Sequence, residues 1–258
     1  KMATYLLKKS YQRKDLKKVV FNDLWNSHGV FTTMWIFNHP HKILFFNKHI
    51  DNLIQSLKDY NLYDTNIKKN IIKIIKLNLK KNIKYNHLLR IAANRNLISI
   101  SLRKRIKSKA NFELKLFHYK RTSPEYKNLK YKKILNYLSK VNTSFCDIGL
   151  CADNKILESA TSNILFVKDS IIYSPINRFY KGITLKFIEK KIRKITKKNI
   201  FIKDLHTFDE IVLIGSGKGV VSIKSIEKYN WNRKSSKTYR YLLKIYQEAV
   251  TNCPRYYS

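Results

Sequence analysis

The stretch Tyr131-Lys132-Lys133-Ile134-Leu135-Asn136-Tyr137-Leu138 decides how the rest of the chain is read. Alone it is a short amphipathic run headed by a lysine. Among 53 lysines and arginines set against 17 acids, such a lysine is by default a solvated charge. Its surroundings give it weight. Upstream, residues 120–132, with Thr122-Ser123-Pro124, break the sequence of apolar runs and mark a linker. Downstream, Glu158 is one of few acids and lies between apolar Ile156-Leu157 and small Ser159-Ala160-Thr161-Ser162. A carboxylate in that company pairs with a buried cation or caps a turn.

Upstream of the break, Val19 to Phe21, Gly29 to Phe37 and Ile43 to Phe46 read as strands rich in β-branched and aromatic residues. From His49, Ile50, Leu53, Ile54 and Leu57 recur at helical spacing, as do Ile71, Ile74, Ile75 and Leu79 between Ile67 and Leu79. Leu88 to Ala93, Leu97 to Leu102 and Phe112 to Tyr119 are again strand-like. Downstream come short strands at Ile148 to Cys151, Asn163 to Val167, Ile171 to Tyr173 and Ile211 to Ile214. Helices are expected through Leu185, Ile188, Ile192 and Ile195, and over Tyr239 to Val250. This is an α+β pattern, with domains over 1–119 and 133–258 joined by the linker 120–132.

A length of 258 residues allows one large core or two smaller ones. A hydrophobic fraction of 44% excludes a disordered polyelectrolyte despite the formal charge of +36. That charge fits nucleic acid or an anionic membrane. The lysines are nevertheless spread along the whole chain among abundant Ile, Asn and Tyr, with only 6 Gly and 4 Pro. We therefore read compositional drift rather than a nucleic-acid surface. Cys146, Cys151 and Cys253 form no CxxC pair, and no segment approaches the ~20 apolar residues of a membrane helix. The N-terminal stretch Lys1 to Lys9 is only briefly apolar. The expected setting is soluble, reducing and cytoplasmic.

Single motifs carry little. Gly215-Ser216-Gly217-Lys218-Gly219 lacks Walker spacing and is followed by strand-like Val220 to Ile223, so it is either a phosphate cradle or a turn. Lys181-Gly182-Ile183-Thr184 opens a helix, where free backbone donors suit an anion but also cap ordinarily. The seven histidines show no metal-ligand spacing, and no nucleophile elbow is present.

The order of the pieces is more specific. Gly29-Val30-Phe31-Thr32-Thr33, Asn47-Lys48-His49-Ile50-Asp51-Asn52-Leu53, Lys133-Ile134-Leu135-Asn136-Tyr137-Leu138, Glu158-Ser159-Ala160-Thr161-Ser162-Asn163-Ile164, Tyr173-Ser174-Pro175 with Gly182-Ile183-Thr184, and Phe208 to Ser216 follow one another along the chain. Together they resemble the class IV pyridoxal-phosphate enzymes, which include branched-chain and D-amino-acid aminotransferases and 4-amino-4-deoxychorismate lyase. The resemblance implies a two-domain fold like that of D-amino-acid aminotransferase, with pyridoxal 5'-phosphate in a cleft between domains, and usually a homodimer. It makes Lys133 the cofactor-bearing residue and general base, and Glu158 the partner of the pyridine nitrogen. Ile183, Thr184, Ser216 and Gly217 would hold the phosphate. Asn52 stands where the family has a phosphate-gripping arginine, and His28 where it has aspartate. Arg95 matches an arginine that binds a substrate carboxylate.

Some lyases of the family read Phe-Thr-Thr where aminotransferases place a glutamate, as Phe31-Thr32-Thr33 does here. The resemblance therefore implies a lyase acting on a small molecule, with Phe31 and a hydroxyl of Thr32 or Thr33 near the substrate. An aminotransferase for branched-chain or D-amino acids is the first alternative. A degenerate nucleic-acid-binding member is the second.

Overall fold

The computed structural model describes residues 4–256, so the first three residues of the N-terminal stretch lie outside the described residues. The chain forms two compact units, each built on its own sheet. The first contains β1 (Tyr5–Gln12), β2 (Lys18–Val19), β3 (Gly29–Asn38), β4 (Lys42–Ile43), α1 (Phe46–Asp59), α2 (Ile67–Asn78), β5 (Tyr85–Asn94) and β6 (Leu97–Lys104), in the sheet order β2-β1-β6-β5-β3-β4.

Periodicity explains how this unit is covered. Ile50, Leu53, Ile54 and Leu57 of α1 and Ile67, Ile71, Ile74 and Ile75 of α2 each form one apolar stripe. Both stripes join a single core with Val30, Met34 and Ile36 of β3 and Leu89, Ile91 and Ala93 of β5. Truncating a fully buried member such as Leu57 to alanine would cost about 2–5 kcal/mol. Because side chains alternate along a strand, Phe31, Thr33 and Trp35 project from the opposite face. There Thr33 lies directly across from Arg90, and Phe31 across from Ala92.

The second unit contains β7 (Phe112–His118), α3 (Lys132–Ser139), β8 (Cys146–Ala152), β9 (Lys155–Ser159), β10 (Asn163–Lys168), β11 (Ile171–Ser174), α4 (Ile183–Glu189), β12 (Thr196–Lys197), β13 (Glu210–Gly215), β14 (Gly219–Ile226), β15 (Trp231–Asn232) and α5 (Lys237–Thr251). Its nine-stranded mixed sheet runs β12-β11-β10-β13-β14-β7-β8-β9, with β15 paired to β14. Phe112, Phe166, Phe208, Ile211, Leu213 and Ile223 lie in its core. Buried Glu210 receives the Thr238 and Tyr239 N–H groups at 2.9 and 2.8 Å, placing a carboxylate at the start of α5, where the helix dipole favours it.

Three expectations change. The first unit ends at Arg105 rather than after Tyr119, because β7 pairs with β14 and β8 in the second sheet. The stretch 120–132 is divided rather than a free spacer. Residues 126–132, up to and including the first residue of α3, belong to the first unit, where Asn128 bridges Val30 and the Leu129 N–H bonds Gly29 O at 2.9 Å; the rest of α3 belongs to the second. Gly29 permits that approach, since a Cβ there would lie 2.7 Å from Leu129 Cδ1 and 2.4 Å from Ala93 O. The end of the chain also returns to the first unit, through an Arg255–Lys42 bridge and the Tyr256 N–H on His41 O.

Locally, of the stretch Ile43 to Phe46 only Ile43 lies in a strand, at the end of β4; Leu44 and a left-handed Phe45 turn the chain, and Phe46 starts α1. The helix expected to reach Ile195 stops at Glu189. Beyond it Lys190, Lys191, Arg193 and Lys194 would stack like charges on one helix, while Thr196 pairs with Tyr173 instead. No helix among the described residues is long and apolar enough to cross a membrane.

Candidate active site

The second unit gathers most of the residues singled out by sequence. Glu158 lies on β9, a strand that periodicity does not reveal, and its side chain is 8% exposed. Arg121 Nε donates to Oε1 at 2.6 Å and Nη2 to Oε2 at 3.2 Å; the Tyr180 N–H also reaches Oε2 at 3.2 Å. The carboxylate thus pairs with a buried cation, the first of the two alternatives above.

Asn163, at the start of β10, fastens the next segment. Its Nδ2 donates to Tyr180 O, and its Oδ1 accepts the Gly182 N–H at 2.9 Å. A Cβ on Gly182 would fall 2.8 Å from that same oxygen, so the segment needs glycine to lie so close. Gly182 leads into Ile183 and Thr184, both buried, and the Thr184 hydroxyl is 2.9 Å from that of Ser216. Ser216 and Gly217 occupy the turn between β13 and β14. Glu158, Thr184 and Ser216 are therefore joined by one chain of short contacts.

Under the turn lies a charge pair that sequence did not reveal. Asp147, fully buried, accepts Lys218 Nζ at 3.1 Å, Thr161 Oγ1 at 2.6 Å and Ser159 Oγ at 3.2 Å on Oδ2, and the Ile148 N–H at 2.8 Å on Oδ1. Lys218 is 10% exposed and lies 4.4 Å from the Phe112 ring centroid. Asp147 thereby ties the 159–162 turn to the 215–219 turn. The two are already close, since a Cβ on Gly215 would lie 3.0 Å from Ser162 Oγ.

Lys133 sits exposed in the first turn of α3, with Nζ 4.8 Å from the Tyr119 ring centroid. Among the described residues its amine enters no ion pair. Tyr119 is two residues before Arg121, so the lysine adjoins the segment that carries the partner of Glu158. Cys146 and Cys151 do not compete as nucleophiles: burial pushes their thiols up to about 11 and about 12.

The remaining candidates belong to the first unit. Thr32 is turned toward α1, where its hydroxyl bonds His49 Nδ1 at 2.8 Å. Burial, followed by the charge of Lys127, drives His49 down to about 3, so this imidazole is neutral. Asn52, half-buried, follows His49 on α1. Phe31 and Thr33 lie on the other face with Arg90. The Arg90 guanidinium stacks 3.7 Å from the Trp25 ring centroid, 5.1 Å from that of Phe31, and donates to Asp23 O at 2.9 Å. Its Nε is buried with no hydrogen-bond partner, and desolvation lowers its pKa to about 10, leaving it charged at neutral pH. Arg95, by contrast, is exposed in the β5–β6 turn. Arg90 and Arg121 were missed by sequence. The available signal was arginine in a lysine-dominated chain, since the rigid guanidinium fork suits buried, geometrically fixed pairing.

A family model described as amino-transferase class IV matches residues 29–226. No curated protein matches the sequence. Among solved structures, the branched-chain aminotransferase of Thermoproteus uzoniensis with norvaline superposes with a TM-score of 0.74 at 16% identity, covering 93% of each chain. The branched-chain amino acid aminotransferase of T.th., complexed with N-(5'-phosphopyridoxyl)-L-glutamate, gives 0.76 at 14% identity, over 94% of each chain. A hypothetical aminotransferase from Mycobacterium tuberculosis, in a PLP-bound form, gives 0.71 at 11% identity, over 95% of this chain and 99% of that one.

Proposed function

The chain belongs to the class IV aminotransferase family, and from that premise we propose that it is a pyridoxal 5'-phosphate-dependent lyase splitting 4-amino-4-deoxychorismate into 4-aminobenzoate and pyruvate. The second unit offers groups that suit this cofactor: an amine at Lys133 outside the ion pairs of the described residues, a buried carboxylate at Glu158, and the adjacent Thr184 and Ser216 hydroxyls for a phosphate. When bound, the cofactor supplies a protonated ring that accepts the electron pair released as a C–H bond beside the substrate nitrogen breaks.

Lys133 Nζ anchors the cofactor and takes the proton from the amine-bearing ring carbon of the substrate. The neighbouring C–O bond breaks, its electron pair departs with enolpyruvate, and the six-membered ring becomes aromatic. Enolpyruvate takes up a proton on carbon to become pyruvate, so no further reactant is needed. In the first unit, Arg90 is the candidate partner for a substrate carboxylate and Thr33 the candidate proton donor to the leaving oxygen. Thr32 is already engaged with His49.

The observation that carries the choice of lyase is Phe31-Thr32-Thr33, the pattern of some of the family's lyases, with Thr33 set opposite an arginine whose Nε lacks a partner. A small-molecule substrate and a homodimer belong to the same reading. The test is to incubate the enzyme with 4-amino-4-deoxychorismate and measure 4-aminobenzoate and pyruvate. Equimolar release, unaffected by moderate salt, is expected. Amino transfer from a branched-chain or D-amino acid to a 2-oxo acid, without such release, would replace the lyase with an aminotransferase. Salt-sensitive nucleic-acid binding without turnover would overturn both.

A further inference from the structure

Residues 120–125 look like spacer in the sequence, yet they contain one of the most deeply buried charges in the molecule. The Arg121 side chain is 3% exposed, and its partner Glu158 is 8% exposed. Besides gripping both carboxylate oxygens, Arg121 Nη2 donates to Pro124 O. Withdrawing two such groups from water costs several kcal/mol for each ion, an expense for which an ordinary spacer has no use.

The charge has a chemical consequence. A carboxylate buried without a cation takes up a proton, because burial disfavours its charged form; a guanidinium in contact favours the ionised form. The two forms meet a ring nitrogen in opposite ways. An ionised carboxylate can only accept a hydrogen bond, so it stabilises a nitrogen that carries a proton. A neutral carboxyl group donates its own hydrogen and leaves the nitrogen unprotonated. Only the protonated ring withdraws electrons strongly.

We propose that Arg121 is a positioning residue that keeps the cofactor's pyridine nitrogen protonated by holding Glu158 ionised and in place. The proposal rests on the reading above, in which Glu158 meets that nitrogen. A purely structural Arg121, joining the 120–125 segment to β9, would leave the nitrogen unchanged when replaced by a residue that retains hydrogen bonding.

The experiment reconstitutes wild type, R121K and R121Q with pyridoxal phosphate labelled with 15N in the ring and records the nitrogen resonance. Both variants keep a polar head for Glu158 and Pro124 O, and only R121K keeps the charge. The expected result is a protonated nitrogen in wild type and R121K and an unprotonated one in R121Q. R121Q should lose about 10- to 100-fold in kcat, the range seen when partners that orient a ligand are removed. A protonated nitrogen in R121Q, or an unprotonated one in R121K, overturns the proposal. If R121Q does not fold, R121A replaces it, recorded with and without added guanidinium ion: the nitrogen must be unprotonated without the ion and regain its proton with it, and a protonated nitrogen without the ion overturns the proposal equally. Wild-type protein that takes up no cofactor on Lys133 refutes the underlying reading instead, a result distinct from either.

Discussion

Replacing Asp147 with asparagine removes one charge and little volume from the second unit. Asp147 is fully buried, and Lys218, 3.1 Å away, is 10% exposed. Breaking a buried pair by neutralising one member typically costs about 3–5 kcal/mol. The Thr161 bond at 2.6 Å also passes from charge-assisted to neutral, a loss of about 1 kcal/mol. Lys218 retains some contact with water and the Phe112 ring face, which offsets part of this, so we expect about 3 kcal/mol in all. Urea unfolding followed by circular dichroism measures it for D147N, K218M and the double variant. With slopes of about 1–3 kcal/mol per molar, the D147N midpoint should fall by at least ~1 M. The double variant should recover much of the loss, giving a coupling of about 2 kcal/mol. D147N within about 0.5 kcal/mol of wild type, or strict additivity, would refute the assignment of Asp147 as the tie between the two turns.

Three further outcomes are expected. His49 has a folded pKa of about 3 against 6.5 unfolded, so below pH 6.5 the unfolded state binds the extra proton and stability falls as pH drops toward 3. At about 1.4 kcal/mol per unit this reaches at most ~5 kcal/mol, and H49Q should show a shallower acid loss in pH-dependent melting. T32V, which strips the buried His49 of its hydroxyl partner, should destabilise by about 1–3 kcal/mol in the same melts, whereas T33V should leave stability nearly unchanged and lower kcat. R90M should raise KM for the carboxylate substrate about tenfold or more, the effect of a lost charge-assisted bond. R95A, at an exposed turn, should move KM little; the reverse ranking in steady-state kinetics would return the substrate carboxylate to Arg95.

Long periodic segments were legible because one physical pattern dominates them. The stripes of α1 and α2 and the runs of β3, β5 and β6 need only alternation or helical spacing. The order of short motifs led to Lys133, Glu158, Thr184 and Ser216, of which the last three are joined by hydrogen bonds or shared neighbours in one sheet unit. Partners distant in sequence were not legible. Arg121 and Glu158 are 37 residues apart, and the Asp147–Lys218 pair spans two turns of the sheet, so neither leaves a local spacing to find. Unit boundaries failed for a similar reason: which sheet receives β7, and where 126–132 docks, depends on strand pairing across the chain. Thr32 and Thr33 show the limit at single-residue scale. Their types fitted a substrate role equally well, and only the strand's orientation, fixed by α1, turned one toward His49.

The most direct test of the central claim is borohydride reduction of the protein incubated with pyridoxal phosphate, followed by peptide mass spectrometry. The account predicts one modified lysine, Lys133, with K133A unlabelled. Labelling of other lysines instead, or of none, would contradict it.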